Sequence, residues 1–182
     1  MKQHHVFSFL QRMGKSFMLP IAVLPVAGIF LGVGSSLTNE TTIMALHLDS
    51  VLGQGTFLYS VLILLKQVGK VLFDNLPLIF AVSIALGMSK RRKEVAALAA
   101  IIAFFVMHAT INTLLCLDGS IVNGVASNYV LDGSITSVCG MLSLEMGVFG
   151  GIIVGLGVSY LHNRFYPVSY THLRAHETVL DL

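Results

Sequence analysis

The chain has 182 residues, of which 55% are hydrophobic and 11% charged, and its formal net charge is +2. A soluble domain has about 25% charged residues, so a chain with a mean hydropathy of +0.83 could not cover its surface with polar groups in water. The composition therefore predicts an integral membrane protein. The net charge comes from local clusters and not from a basic stripe, which argues against a nucleic-acid-binding surface.

Small motifs give no sign of a cofactor. Cys116 and Cys139 lack a CxxC spacing and a neighbouring His cluster, so we interpret them as two small buried residues, with a disulfide outside the membrane as the alternative. The sequence shows no Gly-rich phosphate loop, nucleophile triad or metal-ligand cluster, and we expect neither a metal nor a cofactor. The apolar run that contains Pro20 and Pro25 has no small-x-small cleavage site, so we expect no cleaved signal peptide.

The N-terminal part predicts a surface helix and then a membrane span. Apolar residues recur with helical spacing from Val6 to Lys15, which predicts a short amphipathic helix at the cytoplasmic surface. The run from Phe17 to Val33 is continuously apolar and about one bilayer thick. Gly28 and Gly32 within it form a small-xxx-small pair, which predicts close helix contact. The polar stretch from Ser35 to Gln54 is interpreted as a loop with one short helix.

The stretch from Phe57 to Ser89 is too long for one straight span. Three charged residues in it recur at four-residue spacing and share one helix face: Lys66, Lys70 and Asp74. We predict an interfacial helix that leads into a span from about Val71 to Met88. Two full spans with snorkelling lysines are the alternative. Asn75 precedes Leu76 and Pro77 and is expected to cap a helix.

Basic residues alternate along the remaining chain in a way that predicts its orientation. The cluster Lys90 to Lys93 is expected in the cytoplasm, and Val95 to Leu115 forms the next span. Cys116 to Glu145 contains no Lys or Arg and is expected to be an outer loop. A glycine-rich span from Gly147 to Tyr160 returns to the inner side at His162 to Arg164. The pattern predicts an all-α, polytopic bundle in the cell membrane with about four crossings and a cytoplasmic N-terminus.

Three ordered segments resemble one membrane-protein family. They are Leu10–Gly34 (LQRMGKSFMLPIAVLPVAGIFLGVG), Asn75–Gly87 (NLPLIFAVSIALG) and Gly147–Tyr166 (GVFGGIIVGLGVSYLHNRFY). Together they resemble the membrane IIC subunit of the sugar phosphotransferase system, in its glucose–maltose branch. The resemblance covers about the first half of such a domain, so residues 1–166 are interpreted as a partial IIC membrane domain, the N-terminal half of a IIC permease.

The resemblance implies sugar import coupled to phosphorylation. The implied partners are a sugar of the glucose or maltose type, a IIB phosphodonor domain and, in the full-length protein, a second copy in a homodimer. The GITE-type sugar-binding segment and the His-bearing loop of the family have no counterpart in these residues. Cys116 and Cys139 lack the context of the IIB phosphocysteine, so no catalytic residue is identified. A non-transporting membrane anchor or scaffold module is the alternative function.

A few polar residues inside the spans are candidates for binding. His108 and Asn112 lie four apart on one face, and they could line a sugar path or make a helix–helix hydrogen bond, which we favour. Glu145 precedes the last span and is expected to complement the helix N-terminus rather than to bind substrate. The last span also contains a glycine ladder, interpreted as a packing face that could also serve a dimer: Gly147, Gly151 and Gly155.

The segment Pro167 to Leu182 differs in kind from the rest. Its string PVSYTHLRAHET can be back-translated into a nucleotide sequence that resembles a transposase mosaic end and library adapter. We therefore interpret residues 167–182 as a sequencing-adapter artefact, and expect the natural reading frame to continue differently after Tyr166. His172 and His176 are accordingly not interpreted as metal ligands.

Overall fold

The computed structural model describes the backbone of residues 2–127, 131 and 133–177, and the side chains of 7–49, 51–127, 131 and 133–166. Helices dominate this part of the chain, as the sequence predicts, and two small hairpins accompany them. The elements are α1 (Lys2–Ser16), α2 (Met18–Leu37), α3 (Glu40–Ala45), α4 (Asp49–Leu52), α5 (Phe57–Asp74), α6 (Leu76–Met88), α7 (Lys93–Leu117), β1 (Ile121–Val122), β2 (Val125–Ala126), β3 (Ile135–Val138), β4 (Met141–Leu144) and α8 (Gly147–Glu177).

Within the described residues, two helical stretches are long and apolar enough to cross a bilayer: Phe7–Leu37 and Lys93–Leu117. A third crossing results if α5 and α6 form one broken span. The spans predicted in α2 and α7 are confirmed by this measure. In α8 the polar run His162 to Arg164 interrupts the apolar stretch early. The expectation of about four crossings therefore stays a prediction.

The chain divides into two compact units, and the first is formed by Leu19–Leu76. In this unit α2 and α5 meet through glycines. A Cβ atom on Gly34 would lie 2.6 Å from the backbone N of Lys66, and one on Gly69 would lie 2.6 Å from the backbone N of Leu31. Two helix backbones approach this closely only where a side chain is absent.

Among the described residues, the predicted close contact through Gly28 and Gly32 does not form. A Cβ atom at either position would meet nothing within 4 Å. The residues of α2 that do face α5 include Ala27 and Gly34, which lie on a neighbouring face. Successive helical residues are rotated by roughly 100°, so a shift of one position changes which side of a helix meets its partner.

The polar connection between α2 and α5 holds two short helices where one was expected. The Asn39 side chain accepts a hydrogen bond from the Thr41 backbone N–H at 3.0 Å and caps α3. Ile43, Leu52 and Leu62 form a buried apolar cluster that fixes α3 and α4 against α5. The short helices are therefore held by packing, because helices of this length are not stable alone.

Two predictions concern the end of α5. Lys70 Nζ and Asp74 Oδ2 lie 2.6 Å apart, which confirms that these charges share a helix face. Asn75 caps a helix, as predicted, and the cap described is that of the C-terminus of α5. Its side-chain Nδ2 donates to the Val71 carbonyl at 2.8 Å, which satisfies one of the carbonyl groups that a helix end leaves open.

The second unit comprises Met1–Met18 and Pro77–Leu182. The alanines that pack between α6 and α7 are fully buried: Ala85, Ala96 and Ala100. A Cβ atom on Gly155 of α8 would lie 2.7 Å from the Ala81 carbonyl oxygen, and one on Gly151 would overlap the Pro77 carbonyl oxygen. Two glycines of the predicted ladder thus form a packing face against α6. The third, Gly147, instead begins α8 with a φ of +51°.

The region Cys116 to Glu145, expected to be a loop, contains two antiparallel hairpins. Strands β1 and β2 are joined by Asn123 and Gly124, whose φ values are +54° and +75°. Strands β3 and β4 are joined by Cys139 and Gly140, with φ values of +50° and +84°. Two central residues at positive φ are the mark of a type I′ turn, whose twist matches that of the paired strands.

The helix α8 continues without interruption to Glu177. The backbone of residues 167–177 is therefore helical. The side chains from residue 167 onward lie outside the described part of the structure, so the adapter origin of this segment stays a prediction.

Candidate functional site

The two binding candidates of α7 both contact the β3–β4 hairpin. His108 is only 2% exposed, and its Nδ1 shares a hydrogen bond of 2.7 Å with the Ser143 hydroxyl. The Phe104 ring packs on the imidazole, with 4.5 Å between the ring centroids. The Asn112 side-chain Nδ2 donates to the Leu142 carbonyl at 2.6 Å. We call this set of contacts the α7–hairpin seam.

The seam corrects the expected partner of these side chains. We favoured a hydrogen bond between two helices, whereas in the structure the partner of α7 is strand β4. Ser143 is fully buried, so its hydroxyl and the His108 imidazole satisfy each other away from water. Because a buried polar group left unpaired costs about 1–3 kcal/mol, this pairing stabilises the hairpin against α7. A role of His108 or Asn112 in a sugar path stays a prediction.

The tip of the hairpin reaches deep among three helices. Val138 belongs to a buried cluster with Ala81 of α6, Phe104 of α7 and Val154 of α8, and Cys139 packs against it. Phe104 lies near the middle of α7. Non-helical backbone at such a depth is tolerated in a membrane protein where protein surrounds it, and α6, α7 and α8 provide that cover here.

The base of the hairpin is joined to the start of α8 by Glu145. Its backbone N–H donates to the Ser134 carbonyl, and its carboxylate accepts hydrogen bonds from the Thr136 hydroxyl and from the Gly147 N–H, the latter at 2.9 Å. The carboxylate therefore satisfies the first N–H group of α8. This geometry matches the predicted complement to the helix N-terminus.

At the opposite end of α7, two polar side chains of α8 bond to the loop between α6 and α7. This loop carries the cluster Lys90 to Lys93, and we call it the basic loop. Asn163 Oδ1 accepts from the Lys90 N–H at 2.9 Å, and its Nδ2 donates to the Met88 carbonyl at 3.1 Å. His162 Nε2 lies 2.8 Å from the Arg91 carbonyl oxygen, to which it can donate. The sequence predicts that this loop and the end of α8 lie on the same side of the membrane, and in the structure the two are in contact.

The two cysteines differ in their surroundings, and no disulfide joins them. Cys139 is half-buried at the hairpin tip, whereas Cys116 is exposed near the end of α7, so the expectation that both are buried is wrong for Cys116. Among the described residues no group of three or more His, Cys, Asp or Glu side chains could hold a metal ion. The seam offers neutral hydrogen-bonding groups, which suit hydroxyl-rich ligands, but in this structure the hairpin occupies them.

Sequence reasoning missed Ser143 and both hairpins. One signal was present, since the dipeptide Asn123–Gly124 between valines is the strongest short-range hairpin pattern. The second turn, Cys139–Gly140, carries no comparable signal. The partners Asn163 and His162 were recognised only as a polar end of a span, because nothing local says which distant loop they contact.

The three resembling segments lie in α1, α2, α6 and α8, and comparison with known proteins assigns the chain to a family. The family model described as phosphotransferase system, EIIC matches residues 14–175. The chain belongs to this EIIC family. It is a multi-pass membrane protein, and the family match runs past Tyr166 into residues 167–182.

One curated relative of the EIIC chain is the PTS system glucose-specific EIICBA component of Staphylococcus saprophyticus subsp. saprophyticus. The two are 38% identical over 164 residues, which cover 90% of this chain and 23% of the relative. The EIIC chain thus spans about a quarter of the length of that relative.

Proposed function

We propose that this chain forms part of a sugar permease that imports a glucose-type sugar and delivers it for phosphorylation by the phosphoenolpyruvate-dependent phosphotransferase system. The observation that carries the proposal is the 38% identity to a component named glucose-specific, over 90% of the chain. The glucose specificity in the name of that relative favours glucose over maltose. The EIIC match over residues 14–175 supports the same function.

In this proposal the chain supplies helices of the permease and part of the sugar path, and it does not carry the phosphoryl group. The relative carries the name EIICBA, and we infer that a IIB domain is the phosphodonor that acts on the delivered sugar. The described side chains pair polar groups with one another, as in the α7–hairpin seam, and we assign no phosphoryl carrier among them. A homodimer of the full-length protein, with a cytoplasmic N-terminus, is part of the same proposal.

A chimera tests the proposal. The segment of the Staphylococcus relative that matches this chain is replaced by residues 14–166, and the chimera is expressed in cells that lack their own glucose permease. We expect phosphoenolpyruvate-dependent uptake of radiolabelled glucose, because helices of the same family supply the same contacts to the rest of the permease. The relative with this segment deleted is the negative control, and maltose is measured in parallel.

The outcome also separates the proposal from the alternative of a non-transporting anchor or scaffold. A chimera that inserts into the membrane at the level of the parent protein, but transports neither glucose nor maltose, contradicts the permease assignment. Uptake of maltose alone contradicts only the glucose assignment.

A further inference from the structure

Three elements of the second unit converge at one end and bring cationic side chains together. The end of α1 packs on the end of α6, because a Cβ atom on Gly87 would lie 2.8 Å from Cβ of Ser16. The loop between α6 and α7 follows directly, and Asn163 and His162 of α8 bond to its backbone. We name as the basic end the cations of these elements: Arg12, Lys15, Lys90, Arg91, Arg92, Lys93 and Arg164.

The charges of the basic end are strongly unbalanced. All seven of its side chains are exposed. The described residues 7–16, 89–94 and 159–166 contain one carboxylate side chain, that of Glu94. Glu94 lies 4.0 Å from Arg92, at the limit of an ion pair, and both side chains are more than half exposed. Such a surface attracts anions and loses that attraction as salt screens it.

The backbone of the loop is already satisfied by α8. The Lys90 N–H and the Met88 carbonyl bond to Asn163, and the Arg91 carbonyl bonds to His162. The loop is therefore fixed from its inner side, and its charged side chains are left to project outward. A surface held in place in this way loses less conformational entropy when it binds than a free loop does.

Exposed apolar side chains lie beside these cations on α1. Phe7 is 71% exposed, Leu10 53% and Phe9 45%. An amphipathic helix with large apolar side chains and cations lies in the interface of a bilayer, with the apolar groups at the acyl boundary and the cations at the headgroups. A soluble acidic protein would match the charges but would leave these aromatic groups in water.

We propose that the basic end binds the acidic headgroups of phospholipids in the membrane leaflet that it faces. The phosphate groups of such lipids are met by Lys and Arg side chains, while Phe7, Phe9 and Leu10 enter the adjoining apolar layer. The cations lie at the ends of membrane helices, where headgroups are found. This inference does not depend on which sugar the permease carries.

The test uses the full 182-residue chain in vesicles of phosphatidylcholine with a minority of phosphatidylglycerol. Electron paramagnetic resonance of spin-labelled lipids measures how strongly each lipid associates with the protein. We expect preference for phosphatidylglycerol, and a loss of about fivefold in relative association for each charge removed in K90Q/R91Q. The matched control K66Q/K70Q removes two charges elsewhere and should retain the preference. Asn163→Ala keeps every charge but releases the loop, and should give an intermediate loss.

Three results overturn the proposal. They are equal association of both lipids with the unmodified chain, an equal loss in the two double variants, and displacement of phosphatidylglycerol by inorganic phosphate at an ionic strength where chloride has no effect. The last would assign the surface to a small anion. The preference of the unmodified chain must also weaken as salt rises, because the Debye length falls to about 3 Å at 1 M. This measurement keeps the test decisive should a variant fail to insert.

Discussion

His108 illustrates how a polar residue inside a membrane span can be structural. Its imidazole is buried, packs at a tilt against the Phe104 ring and bonds to Ser143, a residue 35 positions along the chain. Intramembrane polar residues mark binding sites or ion paths by default. Here the hydrogen-bonding capacity of Nδ1 is used by the hairpin, and Asn112 one turn later is used in the same way. The pair positions β4 on α7.

The first prediction concerns the energy of this bond. His108→Ala and Ser143→Ala should each lower the free energy of unfolding by about 1–3 kcal/mol, because each leaves a buried partner unpaired. The double variant should lose less than the sum, since both single changes break the same bond. Steric trapping in bicelles measures these energies.

Thr113→Ala is the matched control for this cycle. The Thr113 hydroxyl is exposed and bonds within its own helix, to the Ala109 carbonyl, so its loss should change the free energy of unfolding by less than about 0.5 kcal/mol. Additive losses in the His108 and Ser143 variants would show that the two side chains are not coupled.

At the scale of elements, the helices meet through small residues and the hairpin fills the space that remains. The α2–α5 crossing depends on Gly34 and Gly69, and the α6–α8 crossing on Gly151 and Gly155. The β3–β4 tip occupies the space between α6, α7 and α8. Close helix crossings and the inserted hairpin follow from the same requirement. Backbone within the membrane must make its contacts and hydrogen bonds inside the protein.

The second prediction distinguishes packed from unpacked glycines. Gly69→Ala should lower the free energy of unfolding by about 1–3 kcal/mol, because the new Cβ atom would lie 2.6 Å from backbone of α2, which cannot move like a side chain. Gly32→Ala, which meets nothing within 4 Å, should be neutral or slightly stabilising. The reverse order of the two variants, measured by the same unfolding assay, would contradict the crossing described above.

The third prediction uses the two native cysteines as reporters of the hairpin. Cys116 is exposed, whereas Cys139 is half-buried at the hairpin tip. A maleimide must reach the thiolate, so Cys116 should be labelled well before Cys139. Asn112→Ala, which removes the bond to the Leu142 carbonyl, should accelerate labelling of Cys139 and leave Cys116 unchanged. Mass spectrometry of the two peptides reads the rates, and labelling of Cys139 that is fast before any substitution would show that the tip is not enclosed.

At the scale of the whole chain, orientation in the membrane is the property that contacts alone do not give. The α1 end, the basic loop and the His162–Asn163 pair lie at one end of the second unit. The Asn123 turn lies beyond the other end of α7. Because short loops rich in Lys and Arg stay in the cytoplasm, the two ends should face opposite compartments.

The fourth prediction tests that orientation. In a chain whose cysteines are replaced by alanine, an impermeant maleimide added outside intact cells should label Asn123→Cys and not Arg91→Cys. Both positions are exposed in the structure, so access to the reagent and not burial decides the result. Permeabilised cells provide the control, in which both sites should react. Labelling of Arg91→Cys alone from outside would invert the topology and place the N-terminus outside.

The sequence by itself determined that this is a membrane protein, where most of its helices lie, and to which family it belongs. Those properties depend on composition, on local apolar runs and on ordered segments such as Asn75–Gly87. It also contained the Asn123–Gly124 turn, which could have been found. Only the tertiary structure decided that, among the described residues, Gly34 and Gly69 pack against a neighbouring helix while Gly28 and Gly32 do not, and that His108 bonds to a strand. In a helix that is apolar all round, the sequence does not indicate which face will be packed. Distant segments of the chain determine that face by packing against it.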